Sequence, residues 1–101
     1  MNKYHNKRVV VDNINFHSIR ESMRYGELKM LQRMGEITEL ELQPKFPIAV
    51  NEQKICTYIA DFRYWKDGKA IIEDVKGAKT ALYSLKKKLV QAIYSIEIIE
   101  V

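Results

Sequence analysis

An Asp-Gly turn between two alternating segments constrains this chain more than any other feature of the sequence. Asp67-Gly68, flanked by lysines, is typical of a tight hairpin, with glycine where the backbone takes a positive φ. The turn joins a predicted strand over residues 55–64 to another over residues 70–76. The two strands are therefore expected to form an antiparallel hairpin whose register is centred on the turn.

This register brings acidic residues together. Asp61 and Asp74 become cross-strand neighbours, and directly opposed carboxylates repel unless a cation lies between them. Alternation with a period of two places Asp74 and Lys76 on one face of their strand and Glu73 on the other. Asp74 and Lys76 could form an ordinary ion pair at the strand end. In the preceding strand, the same alternation predicts one shared face for Tyr58, Ala60 and Phe62.

The rest of the pattern predicts the order helix, three strands, helix, strand. Ser18 and Glu21 have the spacing of a capping box, so a helix should begin there and end at Gly35. A hairpin is predicted over residues 8–16, strands over 39–43, 55–64, 70–76 and 96–101, and a second helix over 80–94. The last strand follows a helical crossover and should be parallel to an earlier one. In the second helix, four apolar residues at helical spacing are expected to face the core: Leu82, Leu85, Leu89 and Ile93.

Length and composition restrict the class of protein. The 101 residues support one α/β domain over residues 1–101, with no room for a second catalytic domain. Cys56 is the only cysteine, which excludes an internal disulfide and a cysteine-rich zinc site. No stretch approaches the ~18 apolar residues of a membrane-spanning helix, so we expect a soluble, intracellular chain with no membrane partner.

Positive charge is concentrated towards the end of the chain. The net charge is +4, and the stretch from Val75 to Ile96 contains no acid. Two interpretations stay open: a solvated helix face, or a surface that binds a polyanion such as a phosphate backbone. The stretch holds five lysines: Lys76, Lys79, Lys86, Lys87 and Lys88.

A third acid completes a candidate metal site. Glu21 lies at the edge of the apolar face of the first helix, where it could point over the sheet or simply complete the capping box with Ser18. The carboxylates of Glu21, Asp61 and Asp74 would suit Mg²⁺ or Mn²⁺, and Lys76 could hold or deprotonate a water molecule. These four residue types together predict hydrolysis of a phosphodiester bond.

Five blocks of the sequence carry a resemblance to a known superfamily: residues 16–21, 35–37, 42–46, 58–64 and 72–77. They resemble the PD-(D/E)XK nucleases, and more closely a family of short phage and prophage proteins of unknown function within that superfamily. The resemblance implies a restriction-endonuclease-like core, α-β-β-β-α-β, with a mixed central sheet flanked by helices. Ala60 departs from the pattern, because it replaces the signature proline.

The resemblance also assigns roles to residues. Asp61 matches the first signature acid, Asp74 the second, Lys76 the signature lysine and Glu21 the helical glutamate. Glu73 is the competing second acid, although it faces away from Lys76. Lys76, Lys79 and Lys86 are expected to contact DNA because they lie nearest to this site in sequence. Gln43 is expected either to contact DNA at the site or to be a structural amide before Pro44.

The function that this resemblance implies is a Mg²⁺- or Mn²⁺-dependent DNA endonuclease encoded by a phage or prophage. It would act in the cytoplasm of a bacterial host, as a homodimer, on branched DNA such as a Holliday junction. A catalytically silent nucleic-acid-binding or assembly protein of the same fold is the alternative, and RNA is an alternative substrate.

Overall fold

The computed structural model describes residues 8–75 and 80–101, which form a mixed α/β structure with two helices. Strands β1 (Val9–Val11) and β2 (Ile14–Phe16) form the predicted N-terminal hairpin, with Asp12 and Asn13 at positive φ in its turn. The phenol of Tyr25 donates a hydrogen bond to Asp12 Oδ2 at 2.8 Å, which ties this turn to the following helix.

Helix α1 (Ile19–Arg33) has the predicted boundaries. Ser18 is the N-cap, and its hydroxyl oxygen accepts a hydrogen bond from the Glu21 N–H at 3.1 Å. Gly35 follows the C-cap with φ +82°, a conformation that a residue with a Cβ adopts at a cost.

A long bent ribbon follows, built from β3 (Thr38–Leu42), β4 (Lys45–Val50), β5 (Gln53–Ile59) and β6 (Phe62–Lys66). β3 pairs with β6 and β4 with β5, both antiparallel. The pairing continues across the bend, because the Gln43 N–H donates to the Asp61 carbonyl (2.9 Å) and the Ala60 N–H to the Pro44 carbonyl (3.1 Å). The ribbon therefore turns sharply at two facing points, Gln43-Pro44 and Ala60-Asp61.

This bend corrects one sequence prediction. Residues 55–64 are not one strand, because β5 ends at Ile59 and β6 begins at Phe62. Tyr58 and Ala60 pack in one hydrophobic cluster and Phe62 packs in another, so these three residues do not share a face. The alternation of side chains is interrupted where the backbone bends.

Beyond the Asp67-Gly68 turn, β7 (Lys69–Asp74) pairs with β6 in the predicted register, with Phe62 opposite Glu73. Helix α2 (Ala81–Tyr94) leads to β8 (Ile98–Glu100), which lies parallel to β7 as predicted. The result is a mixed four-stranded sheet of order β3-β6-β7-β8. No helix in the described residues is long and apolar enough to cross a membrane.

The face that α2 buries is only partly the predicted one, because Leu89 packs against a core cluster and the other three residues of the predicted stripe do not. Leu82, Leu85 and Ile93 are 61%, 55% and 47% exposed, whereas Val90 is fully buried. Tyr83 and Leu89 pack against the same cluster as Val90. The buried face is thus centred on Tyr83 and Val90, roughly 100° around the helix from Leu82, because each residue turns a helix by that angle.

Candidate active site

Asp61 and Asp74 meet where β6 and β7 separate. Past the last ladder pair, the Asp61 N–H lies 3.1 Å from both the Glu73 carbonyl oxygen and Asp74 Oδ1. In return, Asp61 Oδ2 accepts a hydrogen bond from the Val75 N–H at 2.7 Å. Each carboxylate thus binds a backbone N–H of the opposite segment, which holds the two separating ends at a fixed distance.

Glu21 and Gln43 share a pocket with Asp61. The pocket has a volume of about 240 Å³, and its walls are completed by the three residues of β2, including Asn15, and by two hydrophobic residues of the ribbon. Glu21 is 8% exposed, and its Oε1 accepts a hydrogen bond from the His17 N–H at 3.3 Å. Glu21 therefore lines the pocket and binds the backbone just before the helix, while the capping hydrogen bond shown at this end is the one from the Glu21 N–H to the Ser18 hydroxyl oxygen.

Asp74 does not line this pocket, and it is fully buried. It faces α2, where the Tyr83 hydroxyl donates a hydrogen bond to Glu100 Oε2 at 3.0 Å. Burial, with the carboxylates of Glu100 and Asp74 as further causes, raises the pKa of Tyr83 above its ordinary value. Tyr83 therefore stays a neutral donor at this end of the sheet.

Glu73 is bound in a separate network on the α1 side of the sheet. Arg24 Nε and Nη2 donate to its two carboxylate oxygens at 2.8 and 2.7 Å, and the Tyr64 hydroxyl donates to Oε2. The Glu73 side chain is 2% exposed and that of Arg24 is 26% exposed. Hydrogen bonds to Glu73 are the first cause that raises the pKa of Arg24. Glu73 is therefore engaged in this network, and the side chain that accepts the hydrogen bond from the Asp61 N–H is that of Asp74.

The structure thus brings the predicted residues together only in part. Glu21, Asp61 and Gln43 line one pocket, and Asp74 is hydrogen-bonded to Asp61 from outside that pocket lining. Within residues 8–75 and 80–101, no three Asp, Glu, His or Cys side chains are placed to hold a metal ion. Lys76 and Lys79 lie outside the described residues.

Sequence reasoning missed Arg24, Tyr64 and Tyr83. Arg24 is 49 residues from Glu73 in sequence, and a buried ion pair over that distance leaves no local signal. The one available sign was Glu73 itself, a carboxylate in an apolar strand on the face away from Lys76. Such a group is expensive to bury unless a cation and donors surround it.

Comparison with known proteins gives a family and no function. Residues 1–98 match the family model described as "Protein of unknown function (DUF1064)". The chain belongs to this family. No curated protein and no solved structure matches the chain. Membership of the DUF1064 family confirms the resemblance to a family of unknown function, and the nuclease superfamily stays a prediction.

Removal of the Tyr64 hydroxyl is expected to lower the free energy of unfolding by about 1.5–3 kcal/mol at pH 8, because that hydroxyl donates to a buried carboxylate. Burial, followed by the Glu73 carboxylate, raises the pKa of Tyr64 to about 12 from its ordinary 10.0. The phenol therefore ionises first in the unfolded chain, and the stability that it contributes is full below pH 10 and falls towards pH 12.

Urea unfolding of wild type and Tyr64→Phe at pH 8 and pH 11 tests this prediction. The difference between the two proteins should shrink at the higher pH. A difference that is the same at both pH values would contradict the assignment of the proton to Tyr64.

Proposed function

We propose that this chain is a Mg²⁺- or Mn²⁺-dependent DNA endonuclease that hydrolyses phosphodiester bonds in branched or otherwise structured DNA. The observation that carries the proposal is the meeting of Asp61 and Asp74 at the separating ends of β6 and β7. Glu21 adds a carboxylate to the pocket that Asp61 lines. A restriction-endonuclease-like, PD-(D/E)XK arrangement of the core belongs to the same proposal.

The donor chemistry of these residues fits a hard divalent cation. Glu21, Asp61 and Asp74 supply carboxylate oxygens, the ligands that Mg²⁺ and Mn²⁺ prefer. Glu21 and Asp61 would hold the ion from the pocket that they share, and Asp74 would complete the set. When bound, such an ion lowers the pKa of a water molecule and stabilises charge on the phosphate.

The remaining residues would orient the DNA. Lys76 belongs to the proposal by its place in the sequence, two residues after Asp74, and its ammonium would offset charge that develops on the phosphate. Gln43 lines the same pocket as Asp61 and carries an amide that can hydrogen-bond a backbone oxygen. Lys79 and Lys86 would contact the phosphate backbone.

A homodimer follows from the chemistry of the substrate. One active site cuts one strand, so the coordinated cutting of two strands of a junction needs a second copy related by a two-fold axis. The cytoplasm of a bacterial host that carries a phage or prophage is the place where we propose that this activity occurs.

Two observations favour a second candidate function. Asp74 is fully buried, and no set of three metal-ligating side chains is assembled in the described residues. A catalytically silent protein that binds nucleic acid with the same fold would need no such set. Basic residues of α2 would then bind the nucleic acid, and Glu21, Asp61 and Asp74 would have no catalytic role.

Supercoiled plasmid separates these two functions. We expect the wild-type protein with Mn²⁺ or Mg²⁺ to convert the plasmid to nicked circles, and we expect EDTA to abolish the reaction. A plasmid that stays supercoiled with either metal, at protein concentrations that retard it in a gel, would support the silent protein and contradict the proposed endonuclease.

A further inference from the structure

A groove separates β5 from the first half of α2. Two of its lining residues, Tyr58 and Tyr83, belong to the hydrophobic cluster around Val90, and the others do not. Its volume is about 330 Å³. We call it the β5–α2 groove, and it is lined by Thr57, Tyr58, Ile59, Thr80, Leu82, Tyr83 and Lys86.

The open edge of a strand forms one wall. Thr57, Tyr58 and Ile59 are consecutive, so the backbone of β5 as well as its side chains borders the groove. Among the strands that the structure describes, β5 pairs with β4 alone, which leaves its other edge without a partner strand. A helix beside an open strand edge forms a channel that suits an extended chain.

The walls also carry apolar surface that the fold does not bury. Ile59 is 50% exposed and Leu82 is 61% exposed. The rings of Tyr58 and Tyr83 lie with their centroids 6.3 Å apart. The buried Tyr58 hydroxyl has no hydrogen-bond partner in the described residues. Ile59 and Leu82 thus offer an apolar contact surface for a base, whereas the Tyr58 hydroxyl is too buried to bond a ligand in the groove.

Charge decides between the possible occupants. Helix α2 contains no acidic residue, and its Lys87 is paired with Glu100 at 3.1 Å. Lys86 lines the groove and takes part in no ion pair within the described part of the chain. A second copy of α2 would bring lysines against lysines, whereas a polyanionic strand complements them.

The groove also adjoins the candidate site. Tyr83 lines it and, through its hydroxyl, contacts the Glu100 carboxylate beside Asp74. A volume near 330 Å³ is at the small end of the ~300–1,000 Å³ range of ligand pockets. A groove of this size suits one nucleotide. That nucleotide would have to be unpaired, because the faces of both bases in a stacked base pair are covered by their neighbours.

We propose that the β5–α2 groove binds one unpaired nucleotide of the DNA strand that leads to the Asp61 and Asp74 site. Ile59 and Leu82 contact the base, and Lys86 contacts its phosphate. This inference rests on the proposed function and adds to it a preference for DNA with unpaired nucleotides. The chain would then select branched DNA by the single-stranded bases near the branch rather than by sequence.

Fluorescence of 2-aminopurine at an unpaired position of a flap oligonucleotide tests the proposal, with EDTA present so that no cleavage occurs. The variants are Ile59→Ser and Leu82→Ser. Ile55→Ser and Leu85→Ser are matched controls, because Ile55 (60%) and Leu85 (55%) are equally exposed on the same elements but do not line the groove. All four positions are exposed, so the variants should fold.

We expect wild-type protein to change the emission of the probe. Each groove variant should bind the flap about 10-fold more weakly, which corresponds to loss of the apolar contact that one aliphatic side chain makes with the base. The two controls should bind as wild type does, and all five proteins should bind a fully paired duplex equally.

Equal binding of the flap by wild type and both groove variants would overturn the proposal. So would a change in oligomeric mass, measured by sedimentation, that is caused by the groove variants and not by the controls, since the groove would then hold a second copy. Neither result affects plasmid nicking by the wild type. Conversely, groove-dependent binding by a protein that never nicks plasmid would overturn the proposed function alone.

Discussion

Replacement of Arg24 by methionine is expected to lower the free energy of unfolding by about 3–5 kcal/mol. The guanidinium holds both oxygens of Glu73, a side chain that is 2% exposed, and methionine keeps the apolar stem without the charge. The variant would leave a buried carboxylate with the Tyr64 hydroxyl as its remaining side-chain donor in the described residues. Domains of this size have only about 5–15 kcal/mol in total, so the variant should be marginally stable.

Chemical denaturation measures this effect, and Arg33→Met is the matched control. Arg33 lies in the last turn of the same helix and is exposed, so its replacement should change stability by no more than about 0.5 kcal/mol. The double variant Arg24→Met with Glu73→Met should recover most of the loss, because no unpaired charge remains. Equal destabilisation by Arg24→Met and Arg33→Met would show that the ion pair does not hold β7 to α1.

This ion pair also explains why the sequence left two candidates for the second acid. Glu73 and Asp74 are adjacent, and alternation alone says only that they face opposite sides. The choice depends on what each side contains, and that is set by Arg24, 49 residues away from Glu73 in sequence. A local pattern carries no information about such a partner.

Features that depend on neighbouring residues were predictable. The Asp67-Gly68 turn requires positive φ at both positions, which the structure has, and it fixed the register of β6 and β7. The Ser18 cap and Gly35 likewise set the ends of α1, because both act through the nearest backbone groups.

Features that depend on distant packing were not predictable. The stripe from Leu82 to Ile93 shows that α2 has an apolar side, but the sheet meets the side with Tyr83 and Val90 instead. On this side of the helix, Tyr83 and Lys87 both bind Glu100 on β8, a partner that is distant in sequence. The bend at Ala60-Asp61 was not predicted for a similar reason, because its backbone hydrogen-bond partners are Gln43 and Pro44 on a different segment of the chain.

The candidate site likewise has features that depend on neighbouring residues and features that depend on distant packing. The convergence of Asp61 and Asp74 followed from the turn, whereas the burial of Asp74 and the pocket shared by Glu21, Gln43 and Asp61 depend on how the ribbon and the two helices pack. Only three-dimensional packing places a helical glutamate and a strand amide around one aspartate.

Asp61→Asn and Asp74→Asn are expected to weaken Mn²⁺ binding by at least about 100-fold, which is more than the 10–100-fold cost of losing an outer-sphere partner. Each change removes a charge and keeps an oxygen that can accept the Val75 or Asp61 N–H, so the separating strand ends should stay in place. Plasmid nicking should fall with metal binding, since the same carboxylates would hold the ion that activates water.

Asp67→Asn is the matched control for these two variants. Asp67 is exposed in the β6–β7 turn with φ +51°, a conformation that asparagine also tolerates. It has the same change of charge without a place in the site, so it should bind Mn²⁺ and nick plasmid as wild type does.

Isothermal titration of Mn²⁺ into wild type, Asp61→Asn, Asp74→Asn and Asp67→Asn tests most directly whether the acids at the separating ends of β6 and β7 hold a metal. We expect saturable binding by wild type and Asp67→Asn, and a loss of at least about 100-fold in affinity in the other two. Absence of binding in the wild type, or equal affinity in all four proteins, would contradict the assignment of Asp61 and Asp74 as metal ligands.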